Sequence, residues 1–137
     1  MQVGTLAGFD GEKPWQDEID FYEKYKDRVY IKHLYGSLFF GFTSHFQDEI
    51  KNIPEQVEAL IIRMDRVPFI DQSGLYAMED AILDLEKRGV EVVLTAVQEQ
   101  PKDKLISIDI VPDLISEEHL FDNISKAFDY LKRKYNI

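Results

Sequence analysis

Short unbroken apolar runs alternate along this chain with longer stretches whose apolar residues recur every three or four positions. Val57-Glu58-Ala59-Leu60-Ile61-Ile62 and Val90-Glu91-Val92-Val93-Leu94-Thr95-Ala96-Val97 are dense in aliphatic side chains. Such runs leave no continuous polar face, so each reads as a strand buried on both sides. Between them, from Gln72 to about Arg88, Leu75, Met78, Ile82 and Leu85 form one stripe while Glu79, Asp80, Glu86 and Lys87 fall elsewhere. That spacing predicts an amphipathic helix. Gly89 follows as its stop, because a left-handed residue costs glycine little.

Val29-Tyr30-Ile31-Lys32-His33-Leu34-Tyr35 is rich in β-branched and aromatic residues and reads as an earlier strand. Gly36-Ser37 supplies a turn or bulge before Leu38-Phe39-Phe40 resumes extended structure, which predicts a hairpin. Thr43 or Ser44 caps a short helix carrying Phe46 and Ile50 on one side and ending before Pro54. A helical stretch from about Lys102 to Ile108 precedes Pro112. Ser116, Glu118 and His119 then lead into a last helix with Leu120, Ile124, Ala127, Phe128 and Leu131 inward. Lys132, Arg133 and Lys134 sit in its final turn, where cations oppose the negative end of the helix dipole.

Residues 1–27 carry little core pattern. Gly4, Gly8, Gly11 and Pro14 punctuate them and several carboxylates make them acidic, so they read as a linker lying on the domain. Trp15, Ile19 and Tyr22 are the expected packing face of a short turn there. The domain proper then spans residues 28–137. A hairpin followed by strand-helix units gives an α/β fold: a mixed sheet of about four to five strands covered by about four to five helices.

Composition narrows the class. The chain has 137 residues, 45% apolar, enough for one domain with a real core. A net charge of -10, from 26 acidic against 16 basic residues, disfavours nucleic acid and anionic membrane surfaces as partners. The absence of cysteine excludes disulfides, thiolate metal sites and a Cys nucleophile. No apolar stretch is long enough to span a membrane.

Candidate chemistry concentrates at Asp71-Gln72-Ser73-Gly74, between a buried strand and the long helix. An acid, a hydroxyl and a glycine there can start a helix and can receive an anion. Asp71 is expected as the helix N-cap, Ser73 as a first-turn residue, and Gly74 as a point of close packing or partner approach. His33, His45 and His119 share no metal-ligand spacing and are expected in solvated or capping roles. No nucleophile elbow, metal triad or P-loop occurs, so neither catalysis nor a bound cofactor is expected.

Three blocks in order resemble a known family. Gly36-Ser37-Leu38-Phe39-Phe40-Gly41, Arg63-Met64-Asp65-Arg66-Val67-Pro68-Phe69-Ile70-Asp71-Gln72-Ser73-Gly74-Leu75 and Lys87-Arg88-Gly89-Val90-Glu91-Val92 are similar to segments of STAS domains. The likeness is greatest to the C-terminal cytoplasmic STAS domain of SulP-type anion transporters, and covers roughly residues 28–135. The resemblance implies a regulatory, non-catalytic interaction domain on the cytoplasmic side of an inner or plasma membrane. It would dock to the transporter's membrane domain, a second STAS copy or a cytosolic protein. In anti-sigma-factor antagonists of the same family, the serine in the slot of Ser73 is phosphorylated, so a stand-alone switch phosphorylated on Ser73 is the alternative. A nucleotide-binding sensor is a further alternative. The acidic linker, the Val67-Pro68 step and the Leu38-Phe39-Phe40 strand favour the transporter type, in which routine phosphorylation of Ser73 is not expected.

Overall fold

A computed structural model describes residues 13–38 and 42–137. Among these residues four strands form one sheet in chain order: β1 (Val29–Tyr35), β2 (Ala59–Arg66), β3 (Glu91–Thr95) and β4 (Leu120–Phe121). Every pairing among them is parallel. The α-helices are α1 (Ile19–Tyr25), α2 (Phe42–Lys51), α3 (Gln72–Lys87), α4 (Glu99–Ser107) and α5 (Ile124–Tyr135).

Side chains alternate across the strands and divide the interior in two. Leu60, Ile62 and Met64 of β2, with Val92 and Leu94 of β3, join Phe46, Ile50, Leu75, Met78, Ile82, Leu85 and Leu105 in the larger cluster. Ala59, Ile61 and Val93 join Phe21, Ile124, Ala127, Phe128 and Leu131 on the opposite face. Thus α2, α3 and α4 cover one side of the sheet, and α1 with α5 covers the other. Burial on both faces is what the unbroken aliphatic runs require.

Several expectations need correction. No hairpin forms among the described residues: beyond Tyr35 the chain continues, as far as Leu38, alongside the segment after β2. The Gly36 N–H donates to Arg66 O at 2.8 Å, the Leu38 N–H to Phe69 O at 2.9 Å, and Leu38 bridges Ile70 in parallel. An irregular register between His33 and Tyr35 marks a bulge there. All described pairings are therefore parallel, and the antiparallel component of a mixed sheet is absent among the described residues. Phe39, Phe40 and Gly41 lie outside those residues, as do Gly4, Gly8 and Gly11. Helix α2 starts at Phe42, which places Thr43 and Ser44 within it rather than before it.

Leu120 belongs to a two-residue strand, not to the last helix. Ser116 caps a separate turn, Glu117–His119, and Asn123 caps α5 by accepting from the Lys126 N–H. The fourth helix begins earlier than expected, at Glu99, and takes Pro101 into its first turn, where no intrahelical N–H is lost. Gly89 ends α3 with φ at 78°, as its position suggests. Arg88 secures the neighbouring helix end, donating from Nη1 to Ile50 O at 3.0 Å and from Nη2 to Ile53 O at 2.5 Å. These guanidinium bonds satisfy carbonyls around the end of α2 that no intrahelical N–H can reach.

Candidate functional site

The segment after β2 is fixed on both sides of Ile70. The Leu38 backbone flanks one side, where its O also accepts from the Asp71 N–H at 3.0 Å. From α4, the Gln100 amide accepts from the Ile70 N–H at 2.9 Å and donates back to Ile70 O at 3.1 Å. The amide thus copies a strand's bonding pattern with one side chain. Gln98 adds a bond to Asp65 O at 3.0 Å. Neither glutamine carried a sequence signal, because both partners lie about one strand-helix unit away along the chain.

Asp71 is the N-cap of α3, its Oδ1 accepting from the Gly74 N–H at 2.8 Å. A Cβ on Gly74 would lie 2.6 Å from Leu38 O and 3.1 Å from Ile70 Cγ1, so the glycine serves the close approach of helix start and strand. Ser73 is half-exposed at the second helical position. Gln72 donates to Tyr76 Oη at 2.8 Å. Phe69 and Tyr76 stand 39% and 46% exposed before and after Ser73. Asp71, Gln72 and Ser73 are therefore together at one surface with Gly74 buried beneath them, and none of the histidines joins them.

His33 instead belongs to a buried cluster on the α1 side, contrary to a solvated or capping role. Its Nε2 lies 2.9 and 2.8 Å from the two carboxylate oxygens of Glu18. Arg63 Nη1 donates to Glu18 at 2.9 Å and to Asp17 at 2.7 Å, and its Nε and Nη2 reach Asp65 at 3.2 and 2.7 Å. Trp15 covers this cluster. Its ring stacks on His33 at 4.4 Å, with the Arg63 and Arg66 guanidinium groups 4.4 and 4.2 Å from it. The N-terminal segment packs through Glu18 and Phe21, both buried, while Ile19 is 39% exposed. Of the expected Trp15-Ile19-Tyr22 face, Trp15 packs on the domain, Ile19 does not, and the buried members are Glu18 and Phe21.

A third polar group anchors α5. Glu91 accepts from Tyr130 Oη at 2.5 Å and Tyr135 Oη at 2.8 Å, and pairs with Lys134 at 2.8 Å. Lys134 therefore has a specific partner beyond the helix dipole. His45 is exposed beside Glu49, and His119 Nδ1 stands 3.7 Å from Glu91. Among the described residues, no group of three or more His, Cys, Asp or Glu is arranged to hold a metal ion. No helix there is long and apolar enough to cross a membrane.

These clusters set a pH dependence. Burial pushes the Glu18 carboxyl up, but the His33 and Arg63 bonds outweigh it and hold the group below its ordinary 4.5. Burial likewise raises Glu91, and Lys134 with the two tyrosines holds it below 4.5. A depressed carboxyl contributes stability above its unfolded value and loses it as pH falls through the folded one. The urea midpoint read by circular dichroism is therefore expected to hold from pH 7 to 5 and to fall below pH ~4 through Glu91, while the Glu18 contribution is lost over the same range from the attachment of the N-terminal turn. Tyr130 is raised by burial and by Glu91. Lys134 is raised chiefly by its bond to Glu91. Their contribution is complete below the unfolded values and fades as pH rises through the folded ones, so the midpoint also declines in strong alkali. Chemical denaturation at stepped pH checks both limbs, and a midpoint unchanged at pH 3 would contradict the assignment.

Comparison with known proteins accords with this architecture. The family model described as STAS domain matches residues 23–127. "Sulfate transporter 1.3" of Arabidopsis thaliana is 34% identical over 74 residues, which is 54% of this chain and 11% of that protein. The chain thus spans about a tenth of the length of that relative. A sulfate transporter family protein from Wolinella succinogenes has a crystal structure with TM-score 0.73 and 32% identity, covering 80% of this chain and 88% of that one. The SulP transporter STAS domain from Vibrio cholerae gives TM-score 0.69 and 25% identity, covering 81% of this chain and 85% of that one. An α/β domain with a parallel sheet, an Asp-capped Asp71-Gln72-Ser73-Gly74 helix start, and these matches place the chain in a single family: it belongs to the STAS domain family.

Proposed function

We propose that this chain is the non-catalytic regulatory domain of a SulP-type sulfate or related anion transporter, placed on the cytoplasmic side of the membrane. It would work by docking to the transporter's membrane domain, with a second STAS copy or a cytosolic protein as further partners. On this reading residues 1–27 are the linker that leads into the domain. The observation that carries the reading is the partial exposure of Phe69, on a segment held by Leu38 and Gln100, and of Tyr76, in the first turns of α3. Two partly exposed rings on backbone held by hydrogen bonds can enter a partner's pocket with little loss of conformational freedom. The similarity to transporter STAS domains supplies the class of partner.

The test is made in the transporter encoded by the same reading frame. Phe69→Glu with Tyr76→Glu is expected to lower sulfate uptake roughly tenfold, the equivalent of ~1.4 kcal/mol of docking energy. The melting temperature of the isolated chain should stay unchanged. Normal uptake by the double variant, or a reading frame without membrane spans, would remove the proposal.

The half-exposed position of Ser73 favours one further reading, a phosphorylation switch. A phosphate there would meet the positive end of the α3 dipole and alter the Phe69-Tyr76 surface. Ser73→Asp should then abolish partner binding while Ser73→Ala preserves it. Equal binding by both variants would rule the switch out.

A further inference from the structure

In-register pairing sets His33, Arg63 and Thr95 side by side across β1, β2 and β3. All three lie on the α1 side of the sheet, one step beyond the apolar row of Ile31, Ile61 and Val93. A domain closing this face for stability alone would continue the apolar core. Instead the row is polar and buried, and Thr95 Oγ1 has no hydrogen-bond partner among the described residues. Its cover is the turn Gln16–Glu18 with Trp15.

We propose that Trp15 to Tyr25 is a strap that releases from the domain as a unit, locked shut by the Asp17-Glu18-His33-Arg63 cluster. Three observations carry this. First, the apolar attachment is narrow. Phe21 is the one buried residue of α1, stacked on Phe128 at 3.9 Å. Segments with few buried apolar contacts open at lower free energy than the core. Second, the lock is ionic. A buried ion pair gains little over its hydrated partners, so exchanging it for water costs far less than exposing an apolar layer of the same size. Third, release does not strand Arg63. Asp65, on the same strand, keeps its two bonds to the guanidinium when Asp17 and Glu18 leave.

Opening withdraws two carboxylates from beside His33 and Arg63, and lifts Trp15 off His33, Arg63 and Arg66. The strap's own footprint thus turns cationic on a protein of net charge -10. The inference concerns the chain itself and does not depend on the transporter reading.

Trp15 is the chain's single tryptophan, so its emission reports the strap while far-UV circular dichroism reports the core. On urea titration of the full chain at pH 7, the emission transition is expected at lower urea than the dichroism transition. Glu18→Gln should raise the opening constant roughly tenfold to a hundredfold, the range for a weakened charged hydrogen bond. It should shift the emission transition and leave the dichroism transition in place. Coincident transitions in the unmodified chain would overturn the proposal, as would a Glu18→Gln variant in which both move together. The unmodified chain decides the matter even if the variant does not fold.

Discussion

Gly74→Ala is expected to destabilise the domain by about 3 kcal/mol, although alanine is the better helix former. The added Cβ would sit 2.6 Å from Leu38 O and 3.2 Å from Leu38 C. Both are backbone atoms, so no rotamer change relieves the contact. Leu38 O also accepts from the Asp71 N–H, and Asp71 in turn caps the Gly74 N–H. Moving α3 away from Leu38 strains this whole chain of bonds. Overpacking of this kind costs up to about 3 kcal/mol, and one weakened hydrogen bond adds about 1 kcal/mol. The gain in helix propensity, about 1 kcal/mol, offsets only part of it. For a domain of this size the melting temperature should drop by roughly 10 °C. Thermal unfolding followed by circular dichroism reads the loss directly. A melting temperature at or above that of the unmodified chain would mean that the close approach of Leu38 is wrong.

The same junction shows what local sequence can and cannot specify. Asp71 and Gly74 were legible because a cap and its N–H lie three residues apart, within reach of a local rule. The runs around Leu60 to Ile62 and Val92 to Leu94 were legible because burial on both faces leaves no room for a polar alternation. Leu38 was misread for a physical reason. A glycine-serine step after a strand gives the same local signal whether the chain turns back or bulges and runs on. The choice was made by Arg66 and Phe69, which accept the Gly36 and Leu38 N–H groups from far along the sequence. A strand as short as Leu120–Phe121 has no period to detect.

The buried ion cluster was partly readable and was missed. In the strand from Ala59, the side chains on the α1 face are Ala59, Ile61 and then Arg63. A buried guanidinium in that series demands carboxylates: Asp65 on the same strand supplies one, and the remaining donors call for others from outside the sheet. Glu18 stands three residues before Phe21 and so shares its helical face. Neither residue is informative alone, and the pairing spans 45 positions. Only the tertiary fold brings the two half-signals together, which is why the N-terminal stretch looked like an acidic linker.

Phe128→Ala should cost about 3–5 kcal/mol and lower the urea midpoint of the whole domain. Its ring lies parallel to that of Phe21, 3.9 Å away at 8°, and is only 7% exposed. Removing it opens a cavity beneath α5 among Ile124, Leu131 and the β2 and β3 side chains Ile61 and Val93. Helix α5 is held at its far end by Glu91 through Tyr130, Tyr135 and Lys134, so it cannot shift easily to fill the gap. Phe21→Ala deletes the same stacking contact from the other side, yet its effect should be smaller. Phe21 belongs to a segment whose remaining attachment is Tyr25, the Trp15 ring and the ionic cluster, and once that segment is free no further stability can be lost through it. The loss on Phe21→Ala is therefore capped by the strap's own binding energy, whereas the loss on Phe128→Ala includes the cavity in the permanent core. Paired urea titrations by circular dichroism should give the larger shift for Phe128→Ala. A reversed order would place the strap within the cooperative core rather than upon it.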